Sequence, residues 1–209
     1  IYFKGIWTTQ FDKKNTSRKP FSQEDEERAD VDMMQQTANF NYTEDKNFQL
    51  VQLPYGNQAF SMMVLLPVEG LSLGDAVTIL SGDNYWGGLQ SRLSEAEVVL
   101  SLPKFKTEYS KKLNDLLTTM GMGIAFSDQA NFSGMSDRDA HIEFVKHDTY
   151  ISTDEEGTEA AAVTVVGIRE NAVSGPRQVV FNANHPFLYL IQENSTGAIL
   201  FMGAVKHFK

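Results

Sequence analysis

The alternation of hydrophobic and polar positions predicts a chain built mainly of β-strands. Apolar and β-branched residues recur at every second position or in short runs, which is typical of strands with one or both faces buried. The predicted strands cover residues 1–9, 31–35, 40–42, 97–109, 142–153, 179–181, 187–192 and 198–205, with a hairpin over residues 48–67. A proline within a strand disfavours a central position in a sheet, so Pro103 predicts a sheet edge or a change of sheet.

Helical periodicity is limited to a few short segments. Residues 73–80 and 85–93 predict two short helices, and Ser110 is predicted to cap a third that ends at Gly121 and Gly123. The apolar stripe of this third helix would consist of Leu113, Leu116, Leu117 and Met120. Residues 12–27 are polar and charged, and they are predicted to form a surface loop.

Residues 154–166 have an unusual pattern, in which two acids and a glycine precede small and then β-branched residues. As a strand, the segment would place Thr158, Ala160, Ala162 and Thr164 on one face. It contains no proline and can therefore enter a sheet, although Gly157 weakens it as a strand. The alternative is a short helix, because acids precede three alanines. Residues 167–175 are predicted to be an exposed flexible loop.

Composition excludes several classes of protein. The 209 residues suffice for one large domain or two small ones, and no Gly-, Ser- or Pro-rich linker marks a boundary. A formal charge of −9 argues against nucleic acid or an anionic membrane as a partner. The longest apolar runs, such as residues 187–191, are too short for a transmembrane helix. The chain has no cysteine, which excludes disulfides, thiolate catalysis and zinc–thiolate sites.

The candidates for catalytic chemistry are few. His141, His147, His185 and His207 are the four histidines, and no two of them have metal-ligand spacing. The chain contains no H-E-x-x-H, G-x-S-x-G or P-loop pattern. We therefore expect no enzyme activity, no metal and no cofactor. A small α+β hydrolase is the alternative, and it would turn over a substrate without being cleaved itself. The short acidic run of Glu155 and Glu156 is expected to be solvated.

Several segments resemble the serpin family of serine protease inhibitors. The resemblance rests on YFKGIW at residues 2–7, MMQ at 33–35, LPKF at 102–105, FSDQANFSGMS at 126–136, EEGTEAAAVT at 155–164 and FNANHPFLYLIQENSTGAILFMGAV at 181–205. It implies an α+β serpin fold, with mixed β-sheets, a few helices and an exposed reactive loop. The N-terminal half of the family has no counterpart, so residues 1–209 are expected to be the C-terminal portion of one serpin domain and to require that half as a partner.

The resemblance implies that the protein inhibits serine or cysteine proteases as a suicide pseudo-substrate. Cleavage of the loop would release a hinge that inserts into the main sheet and traps the acyl-protease. The hinge would comprise Glu155, Glu156, Gly157, Thr158, Glu159, Ala160, Ala161, Ala162, Val163 and Thr164. Trp7 and His147 would lie at the gate of that sheet, whereas His185 and His207 would be structural. A secreted or extracellular location is favoured by the family alone.

The reactive bond and the choice between two kinds of serpin rest on the loop sequence. The spacing usual in inhibitory relatives, counted from Glu155, places the bond at Asn171-Ala172. Arg169 offers a trypsin-like alternative, and Val166 or Ile168 an elastase-like one. The alternative function is that of a non-inhibitory serpin, which binds a ligand, acts as a chaperone or serves as storage. The small hinge residues favour inhibition.

Overall fold

The computed structural model of the protein describes residues 3–158 and 177–208. They form two compact units, which are described separately. The larger unit contains residues 3–106, 152–158 and 177–208, and the smaller unit contains residues 107–151.

Strands account for most of the regular structure. They are β1 Gly5–Ile6, β2 Ser17–Ser22, β3 Arg28–Glu44, β4 Phe48–Tyr55, β5 Phe60–Pro67, β6 Ser94–Pro103, β7 Phe105–Lys112, β8 Lys146–Thr153, β9 Gly157–Thr158, β10 Gln178–Asn182, β11 Phe187–Glu193 and β12 Ile199–Val205. The α-helices are α1 Leu73–Leu80, α2 Tyr85–Gln90 and α3 Asn114–Leu117. A π-helical turn, Thr118–Met122, and two 3₁₀ turns, Lys13–Asn15 and Gly123–Phe126, complete the described elements. This mixture agrees with the α+β class expected from the resemblance.

An eight-stranded sheet forms the core of the larger unit. Its order is β10-β6-β3-β4-β5-β11-β12, and β2 pairs with β3 outside this path. The β10–β6 pair is parallel, whereas the other pairs are antiparallel. Apolar residues on both faces of β5 explain its central position, since it lies between β4 and β11 and is almost wholly buried.

Helices α1 and α2 contribute to a hydrophobic cluster with this sheet. The buried members of the cluster are Phe48, Leu50, Met63, Leu65, Ala76 and Leu89. The hydroxyl of Ser72 caps α1 by accepting a hydrogen bond from the backbone N–H of Asp75. The packing of these helices gives the sheet a buried face.

In the larger unit, β9 pairs with β1 and with the end of β8, and in the smaller unit β8 pairs with β7. Strand β9 is antiparallel to both of its neighbours, with Gly5 opposite Thr158, Ile6 opposite Gly157, and Thr153 opposite Thr158. Gly157 and Thr158 of the expected hinge therefore lie inside a sheet, between β1 and the end of β8.

Several predicted elements are confirmed. The hairpin over residues 48–67 corresponds to β4 and β5, and the C-terminal strands correspond to β10, β11 and β12. Pro103 does mark a change of sheet, because β6 ends there and β7 begins at Phe105 in the other sheet. The two short helices are present as α1 and α2, although α2 ends at Gln90.

Other boundaries were predicted wrongly. Residues 12–27 are not wholly a loop, because β2 pairs with β3 and buries Phe21. Residues 31–35 and 40–42 belong to one strand, since β3 pairs continuously with β6. Only Gly5–Ile6 form a strand within the described part of residues 1–9, with Trp7 bridged to Tyr55. In the smaller unit, β8 begins at Lys146 rather than at residue 142.

The predicted helix after Ser110 is the largest error. Strand β7 continues through Ser110 to Lys112, so α3 starts only at Asn114. Gly121 has a φ of 98°, which interrupts the helical turns that follow. The expected apolar stripe is not buried within this chain, as Leu116 is 50% and Met120 71% exposed.

Within residues 3–158 and 177–208, no helix is long and apolar enough to cross a membrane. In the same part of the chain, no group of three or more His, Asp or Glu side chains is arranged to hold a metal ion.

Candidate functional site

A tight turn at residues 154–157 reverses the chain after β8, so that Thr158 pairs with Thr153. The carboxylate oxygen Oδ1 of Asp154 accepts hydrogen bonds from the backbone N–H groups of Glu156, at 2.9 Å, and Gly157, at 3.2 Å. The N–H of Asp154 donates to the carbonyl of Gly157 at 2.9 Å. An aspartate in this position stabilises such a turn, so the local sequence itself reverses the chain after β8.

The segment after β1 binds the backbone of this turn. Trp7 donates its N–H to the carbonyl of Glu156 at 3.0 Å, and its indole Nε1–H to the carbonyl of Asp154 at 2.9 Å. The N–H of Phe11 donates to the carbonyl of Glu155 at 3.0 Å. These bonds pair the backbone carbonyls of Asp154, Glu155 and Glu156 with donors from the segment after β1.

Tyr55, at the end of β4, connects this segment to the hinge. Its ring stacks on the indole of Trp7, with ring centres 4.4 Å apart and planes inclined by 12°. The hydroxyl of Tyr55 is 2.7 Å from Thr158 Oγ1, and both residues are buried. Burial raises the pKa of Tyr55 far above its ordinary value, so the phenol is neutral. The side chain of Thr158 is thus held inside the sheet by a hydrogen bond with the hydroxyl of a buried aromatic residue.

Glu155 is not solvated, contrary to the expectation from the charge run. Its side chain is only 5% exposed, and Oε2 lies 2.9 Å from Lys104 Nζ. The hydroxyl of Thr16 donates to Oε1 at 2.8 Å. Burial alone would raise the pKa of this carboxyl, but the hydrogen bonds from Lys104 and Thr16 hold it below its usual value. The acid was predicted wrongly because a short charge run says nothing about distant partners.

Glu156 is also paired, although less completely. Its carboxylate lies 2.6 Å from Lys13 Nζ, and its side chain is 18% exposed. Because Lys13 is exposed, its ion pair with Glu156 contributes little to stability. The pair of Glu155 and Lys104 therefore contributes more to holding the turn in place.

Gly157 occupies a position that other residues fit poorly. Its φ is 152°, and a Cβ atom at this position would lie 2.1 Å from the carbonyl oxygen of Gly5. The two glycines therefore allow β9 and β1 to approach closely. We use the name hinge cluster for Trp7, Phe11, Thr16, Tyr55, Lys104 and residues 154–158.

The structure brings together the first part of the expected hinge and one of the two expected gate residues. Glu155, Glu156, Gly157 and Thr158 all lie in the hinge cluster with Trp7. Outside the described residues lie the rest of the hinge, Glu159, Ala160, Ala161, Ala162, Val163 and Thr164, and the reactive-bond candidates, Val166, Ile168, Arg169, Asn171 and Ala172.

The expected gate residue His147 lies on β8 in the smaller unit. Its ring makes an edge contact with Tyr109, with ring centres 6.0 Å apart. The ring nitrogens of His185 lie 2.9 Å from Asn184 Oδ1 and 2.8 Å from the carbonyl oxygen of Pro67. His207 lies near the carboxylates of Glu24 and Asp25.

Sequence reasoning missed Tyr55, Lys104 and Thr16 as members of the site. Lys104 lies within the LPKF segment that carried part of the resemblance, which was the one available signal. Tyr55 lies within the predicted turn of the hairpin over residues 48–67, and nothing in the local pattern connects it to a residue as distant in the sequence as Thr158.

Comparison with known proteins agrees with this geometry. Residues 1–207 match the sequence profile of the family described as Serpin (serine protease inhibitor). Intracellular coagulation inhibitor 2 of Tachypleus tridentatus is 39% identical over 209 residues, which cover 99% of this chain and 51% of the relative. Leukocyte elastase inhibitor of Homo sapiens is 39% identical over 213 residues, which cover 97% of this chain and 55% of the relative.

A solved structure shares the same fold. The native thermophilic serpin tengpin superimposes with a TM-score of 0.83 at 33% identity, covering 99% of this chain and 54% of that one. The chain belongs to the serpin family. It spans about half the length of the curated relatives it matches.

Proposed function

We propose that this chain carries the reactive loop and hinge of an inhibitory serpin, which traps a serine or cysteine protease as a suicide pseudo-substrate. One observation supports this most strongly. Gly157 and Thr158 lie between β1 and β8, and the side chain of Thr158 is fully buried. A loop whose first residues occupy this position can continue into the sheet once cleavage releases its other end.

Strand addition provides the driving force of this mechanism. Insertion of the residues after Thr158 would form on the order of ten backbone hydrogen bonds, each worth about 1 kcal/mol net. The total is comparable to the stability of a typical domain. Ala160 and Ala162 would follow Thr158 on the same face of the new strand. Their small side chains enter a packed interior with little steric cost.

In this proposal the protein acts as a pseudo-substrate of a protease and has no catalytic residue of its own. The target attacks the bond between Asn171 and Ala172, with Arg169 as the alternative, and remains acyl-linked while the hinge inserts. Mass spectrometry of the peptide released on inhibition would locate the bond. Cleavage after Arg169 would refute the assignment of Asn171.

The same proposal gives this chain an N-terminal half as an intramolecular partner. Strand β12 ends the eight-stranded path, and its Ile199, Leu200 and Met202 are 42%, 44% and 70% exposed. Open edges and apolar faces of this kind favour association.

The requirement for this half can be tested directly. Residues 1–209 expressed alone are expected not to form a stable monomeric inhibitor. A soluble monomer with a cooperative thermal transition and inhibitory activity would refute this requirement.

The inhibitory function is tested by incubating the full-length protein with trypsin-like, elastase-like and asparagine-specific proteases. A denaturing gel should show a stable adduct of higher mass with at least one of them, together with loss of protease activity. Cleavage without an adduct would favour a non-inhibitory serpin. Turnover of a substrate by an uncleaved protein would instead indicate a hydrolase.

A further inference from the structure

The hydroxyl of Tyr55 occupies a buried position where it depends on the hinge for its hydrogen bond. Tyr55 is 3% exposed, and its hydroxyl is 2.7 Å from Thr158 Oγ1. No other hydrogen-bond partner of this hydroxyl is found among residues 3–158 and 177–208. A buried hydroxyl without a partner is unfavourable. Departure of Thr158 from the sheet therefore leaves the phenol unsatisfied.

Aromatic side chains pack around the ring of Tyr55 and fix the position of its hydroxyl in the sheet. Trp7 stacks on one face of the ring, and the indole is itself hydrogen-bonded to the carbonyl of Asp154. The rings of Phe3 and Tyr55 make an edge-to-face contact, with ring centres 5.0 Å apart. This packing opposes a movement of the Tyr55 ring toward a displaced Thr158.

The hydrogen bond between Tyr55 and Thr158 forms only in one register of β9 against β1. Thr158 lies opposite Gly5, and Gly157 lies opposite Ile6. A shift of one residue would present Gly157 or Glu159 to Tyr55 in place of a hydroxyl, and it would turn every later side chain to the other face. The alanines that suit the interior would then point the wrong way.

We propose that Tyr55 is a positioning residue, which docks the hydroxyl of Thr158 and thereby fixes the register in which the reactive loop enters the sheet. The proposal rests on the proposed inhibitory function, because it assigns a residue to the first step of insertion. In the uncleaved protein, the pair of Tyr55 and Thr158 holds the start of the hinge docked in the sheet before any protease acts.

A double-mutant cycle in the full-length, uncleaved protein tests the docking. Tyr55→Phe leaves the Thr158 hydroxyl unpaired, and Thr158→Val leaves the Tyr55 hydroxyl unpaired, whereas the double variant places two apolar groups together. The cost of one unpaired buried group corresponds to about a tenfold increase in the undocked population. Hydrogen exchange of the peptide that contains Gly157 and Thr158 should accelerate about tenfold in each single variant.

The double variant and a conservative variant distinguish docking from general destabilisation. Exchange in the double variant should return to within a few-fold of the parent, because neither polar group is left unpaired. Thr158→Ser keeps the hydroxyl and should exchange like the parent. Additive effects in the double variant, or unchanged exchange in Tyr55→Phe, would overturn the proposal.

Inhibition gives a second readout, measured as the moles of serpin consumed for each mole of protease inactivated. The protease is whichever of the trypsin-like, elastase-like or asparagine-specific enzymes the parent inhibits. This ratio should rise several-fold in both single variants and recover in the double variant and in Thr158→Ser. If the parent traps no protease while the exchange cycle holds, the inhibitory function fails but the docking pair stands. If the parent traps a protease and neither readout recovers in the double variant, the docking pair fails.

Discussion

The carboxylate of Glu155 and the ammonium group of Lys104 lie 2.9 Å apart, and they join the turn after β8 to the link between β6 and β7. Glu155→Lys would place two ammonium groups in this poorly exposed position. Lys104 is partly exposed, so loss of this pair is expected to cost about 1–3 kcal/mol, and the thermal unfolding midpoint should fall and the hinge should undock. Glu69→Lys, at an exposed carboxylate, is the matched control. Equal midpoints for the two variants would contradict the role of the pair.

The same carboxyl predicts a dependence of stability on pH. The pKa of Glu155 is lowered in the folded protein from an ordinary value of 4.5. A lowered carboxyl pKa stabilises the folded state above pH 4.5, and this stabilisation is lost as the pH falls through the folded-state pKa. Denaturant unfolding of the parent and of Glu155→Gln should therefore differ most at neutral pH and converge in acid. A difference that is constant from pH 7 to about pH 3 would contradict the assignment.

Gly157 gives a prediction about backbone geometry. In Gly157→Ala, a Cβ would lie 2.1 Å from the carbonyl oxygen of Gly5, at a φ of 152° that an L-residue rarely adopts. We expect this variant to lose the β1–β9 pairing, and hydrogen exchange at residues 5–7 and 157–158 should rise. Gly134→Ala, where a Cβ meets no atom within 4 Å, should leave exchange unchanged. Normal protection in Gly157→Ala would show that β1 and β9 do not require this close approach.

A substitution at Thr158 is expected to affect insertion of the loop without affecting its cleavage. Thr158→Arg forces a charge into a fully buried position, where an unpaired charge costs several kcal/mol. Insertion should slow while cleavage continues, so the variant should be cut as a substrate and active protease should be recovered. By strand alternation, Glu159→Arg is expected to place its charge on the opposite face and to change far less. Equal trapping by both variants would be inconsistent with insertion from Thr158 onward.

The sequence correctly predicted those strands whose local hydrophobic pattern matches their burial in the fold. Strand β5 is apolar on both faces and is covered on both, and Pro103 ends β6 because it cannot donate in the ladder. Strand β2 was missed because its charged and proline residues resemble a loop, and only its pairing with β3 makes it a strand. Local propensity cannot anticipate a distant partner.

The candidate site was predictable only in part, for the same reason. The resemblance pointed to Trp7 and to Glu155, Glu156, Gly157 and Thr158, which the structure brings together, but it did not reveal the side chains that hold them. Tyr55 and Thr158 meet across a long sequence separation, and the pairing of Glu155 with Lys104 depends on where β6 ends. Such contacts follow from the three-dimensional arrangement of the strands, which no local pattern encodes.

In the proposed mechanism, cleavage of the reactive loop adds a strand to the sheet that contains β1, β9 and β8. The direct measurement is the thermal unfolding midpoint of the full-length protein before and after the loop is cut by a protease that it does not trap. About ten additional backbone hydrogen bonds should raise the midpoint by tens of degrees. A cleaved protein that unfolds at the same temperature as the intact one, or below it, would contradict insertion.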